Sequence, residues 1–287
     1  MSTYRPGRLG LLRRRPRTDK SDYGHTLVLG GSRGMGGAIL LAAESAMRSG
    51  AGLVTTAVPA GLDAPLTARL PESLRLCLHQ SAAGSLTASS AEPVLEYLRR
   101  RRVSAVAIGP GLGVSKGTAA LCRRLLPRLV VPTVLDADAL NVYAGAPREL
   151  LKRRAPLCIT PHRRECERLF GEPVPAADAG RVALAKRLAR LYHLVLVLKG
   201  HHSVVTDGER VYINPTGNAG MAKGGSGDVL TGLIAGLAAQ GLRLFEAAVW
   251  GVRLHGRSGD LAVRQKGLLG ITAGDLIRNF PGAFKAG

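Results

Sequence analysis

The chain is poor in aromatic residues, acids and cysteines, and each shortage argues against a class of protein. Aromatics make up 4% of 287 residues, with a single tryptophan. The core must therefore be built from Leu, Val, Ile and Ala. No aromatic-bearing sheet, helix-turn-helix or zinc-finger pattern is present to read bases, so nucleic acid is not the expected partner. The four cysteines, Cys77, Cys122, Cys158 and Cys166, form no CxxC pair and no metal-ligand spacing. They read as reduced thiols of a cytoplasmic protein. No apolar run reaches the ~18 residues needed to span a bilayer. The first twenty residues lack an apolar h-region, so no secretory leader is expected. Neither GxGxxG nor GxxxxGK[ST] occurs, which leaves a hydride-transferring Rossmann enzyme and a Walker-type nucleotide site without support.

What the chain has is basic charge, glycine and short apolar segments. Forty Lys and Arg against twenty Asp and Glu give a formal charge of +20. Arg5 to Lys20 and Arg99 to Arg102 are the densest blocks. Residues 1–20 read as a flexible basic arm, with Pro6 and Pro16 breaking any helix, and 21–287 as one domain. The charge fits a solvated surface on a protein that handles small polyanions.

Apolar segments alternate with helical ones. Strands are expected at 25–30, 52–58, 74–78, 103–109, 131–136, 155–160 and 194–199, with a hairpin over 203–213. Helices are expected at 36–49, 92–102, 116–126, 177–192, 226–240, 244–263 and 272–279. Residues after 58 read as a loop rich in Pro and Ala. The alternation predicts an α/β fold, a mostly parallel sheet covered on both faces. Ligands then bind at the carboxyl ends of the strands.

The most informative stretch is NPTGNAGMAKGGSGDVLTGLIAG (214–236). Glycines precede a small-residue helix, and Asp228 sits in its first turn. Backbone amides there make an anion site, with one carboxylate beside it. That pairing suits phosphoryl transfer to a hydroxyl. The alternative is an ordinary loop capped by Ser226 or Asp228. Five further segments lie at strand ends. GGSRGMGG (30–37) and GPGLG (109–113) allow close backbone approach or are plain turns. In LDADALN (135–141), Asp136 and Asp138 hold a hydrated Mg²⁺, or Asp138 caps a helix. TPHRRE (160–165) offers His162 and Glu165. In LKGHHSVV (198–205), Lys199 meets a phosphate or snorkels to solvent. His201 and His202 point opposite ways in an extended chain and make a poor metal pair.

In this order the motifs resemble those of the NAD(P)H-hydrate dehydratases, which are ribokinase-like enzymes, over about residues 21–280. The resemblance implies a three-layer α/β/α sandwich and repair of hydrated NADH or NADPH with ADP or ATP. It implies Asp228 as the base and Ala38, Gly111, His162 and Asp228 as the hydrate pocket. Lys199, Gly200, His201, His202, Ser203, Gly225 and Gly227 would bind the nucleotide. Glu165 would order Mg²⁺ through water. A homo-oligomer is implied, a tetramer first, with a separate epimerase supplying the S form. Only a short arm precedes the domain, so epimerase activity is not expected of this chain. Lys223 favours a phosphate or faces solvent. The alternative activity is a small-molecule kinase of the same fold.

Overall fold

The computed structural model describes residues 3–9, 14 and 16–285. Nine strands form one sheet: β1 (His25–Leu29), β2 (Leu53–Pro59), β3 (Leu74–Leu78), β4 (Ala105–Ile108), β5 (Thr133–Leu135), β6 (Leu157–Ile159), β7 (Val195–Leu198), β8 (Val204–Thr206) and β9 (Val211–Ile213). The spatial order is β3-β2-β1-β4-β5-β6-β7-β8-β9. β1 to β7 pair in parallel, while β8 and β9 close the edge antiparallel. The order reverses between β1 and β4, so the carboxyl ends of these two strands diverge and leave a crevice between their loops.

The helices are α1 (Gly36–Arg48), α2 (Asp63–Arg69), α3 (Ala91–Arg101), α4 (Lys116–Leu125), α5 (Asp138–Val142), α6 (Arg163–Phe170) and α7 (Asp178–Leu191). They continue as α8 (Ser226–Ala239), α9 (Leu244–Gly270, kinked at Gly267), α10 (Ala273–Arg278) and α11 (Phe280–Lys285). The central strands β1 and β4 to β7 are buried on both faces, because side chains alternate between two cores, while the edge strand β3 is largely exposed. Leu27, Ile108, Leu135 and Leu196 point into the layer of α3, α4 and α7. Val28, Ala107, Val134 and Val197 point into the layer of α1, α8 and α9. The mostly parallel sheet covered on both faces, expected from the alternation, is present, and it makes the three-layer sandwich that the resemblance implies.

Small residues let α8 lie deep in its layer. A Cβ at Gly232 would fall 1.9 Å from the carbonyl oxygen of Ala42 on α1. The helices therefore meet backbone to backbone, which fixes where the first turn of α8 emerges.

Four short helices escaped the sequence pattern. The Pro/Ala loop contains α2, because Pro65 stands in the first turn, where its missing N–H costs nothing. α6 and α11 were likewise not expected, and α5 entered only as the helix of the alternative in which Asp138 is a cap.

The basic arm was expected to stay clear of the body. Arg13 and Arg15 lie outside the described residues. Several described arm residues touch the domain, among them Leu9, which packs against the core, and Thr18, whose hydroxyl shares a hydrogen bond with that of Tyr23. The Tyr4 amide donates to the Val211 carbonyl at 2.7 Å, and its ring meets Phe245 edge-on at 5.1 Å. The Arg14 guanidinium stacks 3.6 Å over the Tyr23 ring and donates to the Gly50 carbonyl. These contacts are few and far from the strand ends that carry the site. A chain beginning at Ser21 should keep its turnover, with Tm lower by about 2–4 °C. Turnover and size-exclusion profiles of the shortened chain check this; loss of most turnover, or a change of assembly, would show that the arm does more.

Candidate functional site

The first turn of α8 is the centre of the site. Its N-cap is Gly225, at φ +89°, a conformation that suits glycine. No side chain caps the helix. The expected alternative, capping by Ser226 or Asp228, is therefore not what the chain adopts. The free amides face outward with the positive end of the helix dipole.

A cavity of about 510 Å³ opens against this turn. Lys199, Gly200, His201, His202, Ser203 and Gly227, all expected at the nucleotide, line it. Gly225 is not among the lining residues. A Cβ on it would meet Leu41 and Ala273, so it packs behind the turn. Asn214, Thr216, Asn218, Met221, Val252 and His255 complete much of the wall. Sequence reasoning missed these six. Asn214 to Met221 belonged to the glycine-rich motif but showed no chemistry of their own. Val252 and His255 lie inside α9, where no motif marks them.

Asp228 sits one residue beyond Gly227, half-buried. Its pKa is pushed up to about 7, first by burial and then by the Asp136 charge. Asp138 and Glu165 push the same way, while Lys199 opposes them. These carboxylates come from the ends of three elements. Asp136 follows β5 and is 1% exposed. One of its oxygens takes a hydrogen bond from Lys199 Nζ at 2.8 Å, the other from Thr231 Oγ1 at 2.6 Å. Lys199 ends β7, and its Nζ also lies 3.7 Å from Glu165 Oε2. Burial works against the Lys199 charge, but Asp136 and Glu165 outweigh it and raise its pKa. Lys199 is thus neither a lone phosphate ligand nor a snorkelling side chain. It is an ion-paired cation whose ammonium would lie 3.3 Å from a Cβ placed on Gly227.

Asp138 does not cap α5 with its side chain. It accepts a hydrogen bond from the Gly113 amide at 2.8 Å and so ties the GPGLG turn to the start of α5. Ala137, between the two aspartates, is held at φ +50°. Such strain persists only where the surroundings fix it, and it collects at functional sites. Gly111 touches α1. A Cβ on it would be 3.1 Å from Ala38 Cβ and 2.4 Å from the Met35 carbonyl oxygen. Ala38 lies one turn before Leu41, which packs at Gly225. Ala38 and Gly111 are therefore neighbours on the α8 side of the site. His162 caps α6, its Nδ1 accepting from the Glu165 amide, and pairs in a bridge with Lys199. Its ring is half exposed.

Two local expectations change. The His201–His202 segment is not extended: His202 has φ +51°, and the two rings stack at 3.8 Å. Lys223 is exposed, as its solvent-facing alternative has it, but its ammonium is tied down. Its Nζ donates to the carbonyls of Leu269 and Ile271 and closes the end of α9.

Among the described residues, no three His, Cys, Asp or Glu side chains converge as ligands for a metal. Glu165 has one oxygen on the His162 amide at 2.8 Å, and that oxygen also faces Lys199. The donor set therefore fits a Mg²⁺ held through water and phosphate oxygens, which is how this ion is commonly bound, not a protein cage. No helix of the described residues is long and apolar enough to cross a membrane.

A family model described as NAD(P)H-hydrate dehydratase matches residues 26–281. The chain is 47% identical over 273 residues to a bifunctional NAD(P)H-hydrate repair enzyme of Moorella thermoacetica, covering 94% of this chain and 51% of that one. It thus spans about half the length of the first curated relatives it matches. It is 35% identical to an ADP-dependent (S)-NAD(P)H-hydrate dehydratase of Xanthomonas campestris, over 93% of this chain and 90% of the relative. Among solved structures it is similar to an ADP/ATP-dependent NAD(P)H-hydrate dehydratase of Bacillus subtilis co-crystallised with ATP and Mg²⁺. The TM-score is 0.79 at 31% identity, covering 96% of this chain and 94% of that one.

Proposed function

The chain belongs to the NAD(P)H-hydrate dehydratase family, and on that premise we propose that it uses ADP or ATP to dehydrate the S form of hydrated NADH or NADPH. The observation that carries the reading is the uncapped first turn of α8. It faces a cavity large enough for a nucleotide and holds a carboxylate with a pKa of about 7. A base with that pKa is half ionised at neutral pH, the condition in which proton transfer is most effective.

The terminal phosphoryl group would rest on the amides at Gly227 and Asp228, since that of Ser226 donates to the Lys223 carbonyl, with the remainder of the nucleotide along Lys199 to Ser203. The hydrate would lie against Ala38, Gly111 and His162. Asp228 removes the proton of the ring hydroxyl as its oxygen attacks phosphorus. One O–P bond forms, and the bond to the departing nucleotide breaks. The new ester then leaves as phosphate, a proton departs from the adjacent ring carbon, and the double bond of the dihydropyridine returns. Preorganised amides stabilise the charge on the transferring group without having to reorient. A Mg²⁺ on the phosphates, reached by Glu165 through water, would neutralise charge as the phosphoryl group moves.

A separate epimerase would supply the S form from the R form, and the pairing of two activities in the Moorella enzyme's description is consistent with that. A homo-oligomer, a tetramer first, and a cytoplasmic setting complete the proposal.

The test uses purified protein, hydrated NADH, Mg²⁺ and ADP or ATP. Absorbance of NADH should return, with one orthophosphate released for each NADH. A stable phosphate ester with no NADH would instead mark a small-molecule kinase and end the proposal.

A further inference from the structure

One wall of the cavity is the segment 214–223, laid along α9. Thr216, Gly217, Asn218 and Met221 of this segment line the cavity. Its regular structure is one 3-10 turn, Ala219–Met221. What holds it in place is α9. The side chains of Asn214 and Thr216 donate to the Val252 and Arg253 carbonyls, and Lys223 Nζ donates to those of Leu269 and Ile271. Glycines let helix and segment approach. A Cβ at Gly256 would fall 2.2 Å from Thr216 Oγ1, and one at Gly259 would fall 2.3 Å from Met221 Sδ.

Between these points α9 contributes a side chain, Asp260. Its Oδ2 accepts from the Gly217 amide at 3.1 Å, and its Oδ1 accepts from Asn218 Nδ2 at 2.9 Å. Asn218 Oδ1 in turn accepts from the Gly220 amide at 3.1 Å, so Asn218 caps the 3-10 turn. A carboxylate is a poor neighbour for a nucleotide, because both are anions. Here each oxygen is committed to the wall, so the charge orders the wall instead of meeting the ligand.

We propose that Asp260 is a positioning residue for nucleotide binding: it holds Gly217 and Asn218 against α9 and keeps this wall in its binding shape before the nucleotide enters. A wall ordered in advance has less conformational freedom to lose when the ligand binds.

The pattern of donors makes the role testable. Two N–H donors, one from Gly217 and one from Asn218, point at the two oxygens of Asp260. An asparagine at 260 has one oxygen and one NH₂ group. Its oxygen can serve Gly217, but its NH₂ then faces the NH₂ of Asn218. Turning the Asn218 amide over only moves the clash to the Gly220 N–H. Exchanging the two residues removes it. In Asn218→Asp/Asp260→Asn, residue 260 donates to residue 218 and still accepts from Gly217, while residue 218 still accepts from Gly220.

The proposal rests on the nucleotide reading of the cavity, and the experiment separates the two. Calorimetry with ADP, and kinetics with hydrated NADH, compare wild type, Asp260→Asn, Asn218→Asp and the double variant. Melting curves check that each is folded. Asp260→Asn should bind ADP about tenfold more weakly, the scale of one charge-assisted hydrogen bond. Its kcat at saturating ADP and its KM for the hydrate should stay within about threefold of wild type. Charge alone predicts the opposite sign, since removing an anion beside the cavity would tighten ADP binding. Asn218→Asp sets two carboxylates face to face and should also weaken ADP. The double variant should return to within about threefold of wild type. A residue that only stabilises the fold would lower Tm and leave the ADP affinity of the folded protein unchanged. Unchanged or tighter ADP binding by Asp260→Asn, a loss of kcat as large as the loss of affinity, or a double variant no better than Asn218→Asp overturns the proposal. If Asp260→Asn does not fold, Asn218→Asp and the double variant still decide it. Wild type that binds ADP no better than Asp260→Asn overturns this proposal alone. Wild type that binds no ADP at all overturns the nucleotide reading, and this proposal with it.

Discussion

Asp228→Asn is expected to fold, to bind ADP or ATP, and to lose turnover by about 10² to 10⁴, the range for removal of a positioned base. The amide keeps the shape of the carboxylate but cannot take the hydroxyl proton. The wild-type profile of kcat/KM should rise with pH through about 7, because only ionised Asp228 is competent and its pKa stands there. The same pKa has a stability consequence of definite sign. The folded state raises this acid's pKa above its ordinary value, so it holds the proton where the unfolded chain has lost it. Stability from this group is present below about pH 4 and declines as pH rises through 7. The full difference is worth at most about 4 kcal/mol. Asp228→Asn cannot ionise, so it should melt higher than wild type at pH 8. The gap should close as pH falls toward 4. Turnover within threefold of wild type would remove Asp228 from the mechanism. Lower melting at pH 8 would show that the carboxylate is not held against its charge.

Gly227→Val should lose nucleotide affinity by more than about a hundredfold, roughly 2.7 kcal/mol, with only a small loss of thermal stability. Gly227 is helical, so the effect does not come from a forbidden backbone angle. It comes from space. A Cβ there would sit 3.3 Å from Lys199 Nζ and 3.7 Å from Asp136 Oδ2, on the cavity wall where a phosphate is to approach. Two further methyl groups would fill that approach and press on the Lys199–Asp136 pair. Gly227→Ala should be milder, because its single methyl presses only on the mobile end of Lys199, at 3.3 Å, and meets Asp136 at an ordinary 3.7 Å. Calorimetric titration with ADP and ATP measures both variants. Affinity within threefold of wild type in Gly227→Val would mean that the anion binds elsewhere.

Much of this arrangement is local and was readable in the chain. The buried strands at 195–198 and 105–108 are short apolar runs bounded by turn residues, and they fall within two residues of the expected limits. The glycine-rich turn before α8 is contiguous in sequence, so Asp228 and Gly227 could be picked out together. α6 was hidden because five of its eight residues are charged, and its buried Cys166 and Leu169 are too few to show a period. α5, five residues long, has too few turns to show one.

What only the tertiary structure decided is the environment of those residues. Asp136 and Lys199 are 63 positions apart, yet they meet at 2.8 Å because β5 and β7 flank β6 and end side by side. Their charges, with Glu165 and the burial of the α8 turn, set the pKa of Asp228. No local pattern encodes that value. His255 is another such case: within α9 it is one more position on a mostly buried helix, and it becomes part of the cavity wall only when α9 packs along the cavity. The sequence by itself determined which segments are strands and helices, and that an anion site stands beside a carboxylate. Those features depend on neighbours within a few residues, whereas the ionisation of Asp228 and the wall of the cavity depend on groups that only the order of strands in the sheet brings together.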